Sequence, residues 1–395
     1  MTVAPAATHP VRDHPTRVEY VQLACWAWFL YAFGATQALL RDEQGTTLTV
    51  SSLHGSSMAL GGLIGALLAA RAIRMVGRGA LLRISGIVAA MGMLVYTVPG
   101  APPPVTMAAT AITSLFGTFI LVALNSFLLD HQKAAGPATL TEANALASAA
   151  AMVGPAVVGL GAATFLGWRI GIWVALAGML AVELWRGRHV GAYGTREQAA
   201  LQRASGRVPR QIIWSLIAIA FFLATEFSIS LWGADLMRER CHVSPAAAAA
   251  ALAAVSAGML VGRWVGSRLT QRYSVDTVLR GSVVVALVSF IPMWFSTDWQ
   301  IVLAGMIGVG LGIGVQWPLG VSRAVIASGG ITDRASAYCS ISGSIAIVIA
   351  PVTLGALADA IGFHTAFLLV PAFMVISLVV LLVRPVADGG PARSR

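Results

Sequence analysis

Twelve apolar runs, separated by short polar connections, limit what this chain of 395 residues can fold into. They lie at 20–40, 51–70, 80–99, 104–129, 139–166, 168–185, 212–235, 244–267, 278–297, 299–322, 335–358 and 361–383. A helix that crosses a hydrocarbon core of about 30 Å needs roughly 20 such residues. A membrane β-barrel would show segments of about ten residues alternating in polarity, and that pattern is missing. Only 11% of the residues are charged and 57% are hydrophobic, with a mean hydropathy of +0.79. A soluble surface uses about 25% charged residues, so soluble-enzyme, disordered and fibrous classes are excluded. The pattern predicts an all-α membrane protein with twelve transmembrane helices.

Charge placement gives orientation. Of 26 basic residues, 25 are arginine; in a soluble chain their excess over 16 acids would suggest nucleic acid, but here no nucleic-acid partner is expected. If the first connection is external, 22 of the 26 basic residues fall on the side of the termini, leaving Arg41, Arg169, Arg238 and Arg240 opposite. The positive-inside rule then puts both termini in the cytosol of a plasma-membrane protein. Residues 1–19, rich in proline and charge and without a cleavable signal pattern, read as a disordered tail. The longest polar stretch, Arg186 to Arg210, divides the chain. Expected units are a first six-helix bundle at 20–185, a linker at 186–211, a second bundle at 212–384 and a tail at 385–395. An internal repeat at an offset of about 196 residues supports the division: Gly154-Pro155 and Gly159 fall on Ala350-Pro351 and Gly355, and Gly62 on Gly258. Cys25, Cys241 and Cys339 have no metal or disulfide spacing and read as packing residues.

Three features carry a resemblance. The run Gly154-Pro155-Ala156-Val157-Val158-Gly159 is similar to the glycine-proline motif of proton-driven antiporters, Gly167-Trp168-Arg169 heads the sixth helix, and Gly65 to Arg83 occupies the place of a gating loop. With them the whole chain resembles the major facilitator superfamily, whose fold is two six-helix bundles. The family loop reads Gly-x-x-x-Asp-Arg-x-Gly-Arg, and its aspartate is absent here: the position holds Arg74 when aligned on Gly77-Arg78 and Ala69 when aligned on Gly65. Asp130, ending the fourth helix, is the candidate to supply that negative charge to Arg71 or Arg74.

Glu226 lies in the middle of the seventh run, deeper than any other charge. A carboxyl group at the bilayer centre is costly, by roughly 3 kcal/mol or more, and such residues usually mark ion or proton pathways. Glu226 is therefore the candidate proton carrier; the other reading is a permanently protonated acid bonded to a neighbouring helix. The resemblance implies that the first, fourth, seventh and tenth helices line a central cavity. Ser230, one turn from Glu226, then joins Ser114, Thr118 and Asn125 of the fourth helix, Gln316 and Trp317 of the tenth, and Trp26, Tyr31 and Gln37 of the first as candidate substrate contacts. For each, helix-to-helix bonding is an equal alternative. Glu142 and Asp333 read first as helix-terminal acids and second as gating groups. Arg263 reads as snorkelling to headgroups or, second, as pairing with an acid. Asp235 and Arg169 read as interfacial or as an outer latch.

No catalytic constellation, cofactor motif or metal-ligand spacing is present, so the chain is not expected to be an enzyme. The reading with most support is proton-coupled export of a small organic compound or drug by a monomer, on the glycine-proline run. The alternative is proton symport of a sugar-like or other small polar solute, because the pair Glu226 and Trp232 resembles sugar permeases of the same superfamily. A membrane enzyme or sensor is the remaining class.

Overall fold

The computed structural model describes residues 9–46, 48–162, 164–165, 167–188, 190–194, 208–243 and 245–386. The first half contains α1 (His14–Gln44), α2 (Leu48–Val76), α3 (Arg78–Tyr96), α4 (Pro103–Gln132), α5 (Gly136–Ala162) and α6 (Arg169–Arg186). The second contains α7 (Ile212–Cys241), α8 (Pro245–Leu269), α9 (Val275–Phe295), α10 (Trp299–Ile313), α11 (Gln316–Ala327), α12 (Thr332–Ile361), α13 (Phe363–Ala366) and α14 (Leu369–Val383). Eight helical stretches among the described residues are long and apolar enough to cross a membrane by length and composition alone. One of them, 103–162, is the pair α4 and α5, and α1, α6 and α8 add three more, giving twelve crossings.

Local chemistry explains the boundaries. Asp13 caps α1, accepting from the Thr16 amide at 3.1 Å, with Pro15 in the first turn where its missing N–H costs nothing. Helix therefore begins at His14, and residues 9–13 are bound rather than disordered: Gln132 exchanges hydrogen bonds with the Val11 backbone at 2.9 and 2.7 Å. The expected tail is ordered over 9–19; residues 1–8 lie outside the described residues. Ser274 and Asp298 cap α9 and α10 in the same way as Asp13. The tenth crossing is broken between α10 and α11. Pro318 has no N–H to offer the Gly314 carbonyl four residues earlier, so one helical bond is lost there.

The halves repeat each other in packing as well as in sequence. In the first, α2 packs on α4, α1 on α5 and α6, and α3 on α4; in the second, α8 packs on α10, α7 on α12 and α14, and α9 on α10. Glycines make the closest approaches. A methyl group on Gly61 would lie 2.0 Å from the Ala111 carbonyl oxygen, and one on Gly258 2.1 Å from that of Ile307. The spatial counterpart of Gly258 is thus Gly61, one residue from the Gly62 of the sequence alignment. The three cysteines are free.

Candidate substrate and proton pathway

The halves are joined by polar bonds toward one end of the bundle, the end that carries His9 and Val386, called here the terminal end. Gly77, at a φ of 84° that favours glycine, turns the chain so that Arg78 opens α3 and points across to the second half. Its Nε donates to Asp333 at 2.7 Å, and its Nη2 to Asp130 at 2.5 Å and to Thr332 at 2.9 Å. Thr332 in turn donates to Asp130 at 2.9 Å. Asp333 sits in the first turn of α12, where the helix dipole also favours negative charge. Asp130 pairs with Arg78, a partner the sequence does not point to beside Arg71 and Arg74; Arg71 is exposed on α2 and Arg74 lies in its last turn. The reason is geometric, because the Gly77 turn brings Arg78 beneath α4 and α12.

Arg263 makes the second junction. It is buried in α8, and among the described residues it pairs with no acid at contact distance. Its Nε donates to the Gly314 carbonyl, left without its helical donor by Pro318, at 2.7 Å. Its Nη1 crosses to α5, donating to the Asn144 carbonyl at 3.3 Å and to the Ser148 hydroxyl. Ser267 donates to the Ala138 carbonyl at 2.9 Å, and Ser126 donates to Ser336 at 3.2 Å. At the opposite end, the described polar bonds stay within one half. Arg169 pairs there with Glu43 at 2.5 Å and donates to the Thr97 carbonyl at 2.8 Å, while the Trp168 indole reaches Glu43 at 3.3 Å. The hydrogen bond from Arg169 holds the Glu43 carboxyl below the usual glutamate range. Gly167, at φ 68°, makes the turn that presents Trp168 and Arg169. The side chain of Asp235, the other half of the expected outer latch, lies outside the described residues, as do Arg196, Arg203 and Arg207.

Glu226 is the fifteenth of the thirty residues of α7 and is 7% exposed. Ser230, one turn on, is exposed. Glu226 is within electrostatic reach of Arg263 on α8 and of Tyr31 on α1. Tyr31 is 42% exposed, and a residue that is both accessible and near an acid of the other half faces the gap between the halves. Arg263, nineteenth of the 25 residues of α8, is thus a buried base on the terminal-end side of the buried acid.

The neutral candidates divide. Asn125 and Gln316 are buried, and among the described residues the Asn125 amide and the Gln316 Nε2 have no hydrogen-bond partner. Trp317 is half-buried beside Gly343 of α12. Thr118 bonds back to the Ser114 carbonyl at 2.9 Å, and both residues pack over Gly62 and Gly65 of α2, so their stripe faces that helix. Gln37 donates to the Tyr96 hydroxyl of α3 at 3.0 Å rather than standing open to the gap. Trp26 lies over Gly117. Gly154 admits the Trp28 backbone against α5, Pro155 lies within that helix, and Gly159 has open space beside it. Glu142 is the seventh residue of α5, too far along to cap it, and accepts from Arg12 at 2.5 Å and Tyr20 at 3.0 Å. That acid fastens the N-terminal segment to its own half.

Sequence reasoning overlooks two buried clusters that hold each half together. Arg186 donates to Glu19 and Gln22 at 2.6 Å each and to Glu183 at 3.1 Å, beneath Tyr193. It therefore belongs to the first bundle rather than to the linker. Arg323 donates to Asp276 and Ser215 at 2.8 Å each. The available signal was a charge at the edge of an apolar run, which reads equally well as an interfacial residue.

The model of the family described as Major Facilitator Superfamily matches residues 214–395. No curated protein matches the sequence. Solved structures share the fold over nearly the whole chain. The E. coli fucose:proton symporter FucP superposes with a TM-score of 0.75 at 16% identity, covering 94% of this chain and 98% of that one. The proton:xylose symporter XylE gives 0.77 at 11% identity, covering 93% and 94%. The human organic anion transporter MFSD10 gives 0.72 at 14% identity, covering 94% and 100%. With residues 214–395 matched by the family model and two six-helix bundles arranged as in these solved structures, the chain has the major facilitator fold.

Proposed function

We propose that the chain is a secondary active transporter that takes up a small, uncharged polar solute by alternating access, coupled to protons, with Glu226 as the proton carrier. One observation carries this reading: a buried carboxyl group, 7% exposed, halfway along the membrane-crossing helix α7. Such a group is costly in a membrane unless it meets water or exchanges its proton. The arginine distribution supports a cytosolic terminal end, so that the conformation described is closed to the cytosol. In the proposed cycle the bundles of 20–185 and 212–384 rock about the central gap, joined by the linker at 186–211, in a monomer.

Opening the terminal end separates α5 from α8 and removes the Asn144 and Ser148 acceptors from Arg263. Glu226 is within electrostatic range of the freed guanidinium, and in the proposed cycle pairing between them drives the proton to the newly wet side. In the closed conformation Arg263 is occupied by neutral acceptors, which suits an uncharged solute better than an anion. The Gly154-Pro155 run favours the rival, proton-driven export. The fucose and xylose symporters among the structural neighbours weigh toward symport.

The test is transport in vesicles under an imposed pH gradient, with L-fucose and D-xylose as first probes. Symport predicts accumulation with inward proton flow, abolished in Glu226→Gln while solute counterflow persists. Export predicts movement against the proton flow. Gradient-driven uptake that persists unaltered in Glu226→Gln overturns the assignment of the carrier.

A further inference from the structure

We infer that the cleft between α5 and α8 at the terminal end binds the headgroup of an anionic phospholipid, across the line where the two halves meet. A cavity of about 360 Å³ opens there, with His9, Arg12, Glu142, Trp264, Arg268 and Gln271 among its walls. The two arginines and one glutamate leave one net positive charge, before any contribution from His9. Both oxygens of the acid are engaged: Arg12 donates twice to Oε1, and Tyr20 donates to Oε2. Arg268 has no carboxylate partner among the described residues. Its guanidinium carbon lies 3.5 Å from the centre of the Trp264 ring, and Nη1 donates to the Trp264 carbonyl at 3.2 Å. A guanidinium over an indole in the wall of a cleft, without a carboxylate partner among the described residues, suits a phosphate.

The surroundings distinguish a lipid from a free anion. On α8, Val261, Trp264 and Arg268 recur at three- and four-residue spacing, and the first two are exposed apolar groups; on α5, which packs against α8, Leu146 and Val153 are exposed too. The charged cleft thus continues into an apolar stripe along the bilayer face, where acyl chains would lie. Tryptophan and arginine at such a boundary are the usual interfacial pair. The occupant would touch α5 and the N-terminal segment in one half and α8 in the other. The bond from His9 to Gln271, at 2.6 Å, already makes the same crossing. A bound headgroup therefore holds the terminal end closed. This inference rests on membrane embedding and not on Glu226 or the coupling ion.

The test uses the full chain in nanodiscs of mixed phosphatidylglycerol and phosphatidylcholine, with the lipids retained after detergent extraction quantified. Phosphatidylglycerol should be enriched around the wild type, with the preference falling about fivefold in Arg268→Gln, the contribution of one juxtamembrane arginine. Arg268→Lys should recover most of the preference, and Trp264→Ala should lower it. Equal thermal midpoints in pure phosphatidylcholine establish that Arg268→Gln is folded. Unchanged enrichment in folded Arg268→Gln overturns the proposal. So does full displacement of the lipid by soluble glycerophosphate, which would mark an anion site without lipid selectivity.

Discussion

Replacing Arg78 with glutamine should shift the molecule toward a conformation open at the terminal end. Arg78 bonds two acids and a hydroxyl, and its partners Asp333 and Thr332 belong to the other half. Removing one partner of a buried ion pair costs about 3–5 kcal/mol. The Asp333 side chain is 7% exposed and that of Asp130 32%, so Asp130 adds little and the lower end applies, about 3 kcal/mol. The bonds to Asp333 and Thr332 exist only while the halves meet, so the loss falls on the closed state alone. A change of about 3 kcal/mol moves the closed-to-open ratio about 150-fold. Spin labels at Arg71 and Arg272, both exposed near the terminal end, would report it in a cysteine-free background. The short-distance population should shrink in Arg78→Gln and, in the same direction, in Asp333→Asn. An unchanged distance distribution in a folded Arg78→Gln protein refutes the reasoning.

Three further outcomes are expected. Gly258→Val should lower the thermal midpoint by the equivalent of about 1–3 kcal/mol, because its side chain meets the α10 backbone and the helices must part. Ser148→Ala removes a hydroxyl acceptor of Arg263 and should cost about 1 kcal/mol of closed-state preference, read by the same spin labels. Glu43, whose carboxyl is held below the usual value of 4.5 by Arg169, contributes stability that is complete above that value and is lost as pH falls through its lowered one. Acid melts of Glu43→Gln should lack that component, and a wild-type acid profile retained in the variant would sink the assignment.

The twelve crossings were legible because lipid-facing helices exclude charge, and the depth of Glu226 could be counted along its run. Asp13, Pro15 and Thr16 also spelled out a helix start at His14, a signal masked by the surrounding charge. What could not be read was which neighbour a helix face meets. Periodicity puts Ser114 and Thr118 on one face of α4, yet only packing shows that this face lies over Gly62 and Gly65 of α2. Arg78 escaped notice because its reach depends on the backbone turn at Gly77. Arg263 was ambiguous, since a long cationic side chain can extend outward or inward; the deciding cue was Pro318, which strips the Gly314 carbonyl of its helical donor and leaves an acceptor inside the bundle.

The approaches of Gly61 to Ala111 and of Gly258 to Ile307 have a mechanical consequence. Where main chains touch with no side chain between them, there are no rotamers to rearrange, so neighbouring helices of a bundle cannot slide without breaking contact altogether. Each bundle is thereby stiffened into a slab, and deformation is concentrated along the seam between the slabs. Whatever happens at the central acid must be transmitted through the few polar residues that bridge that seam, Arg263 foremost among them.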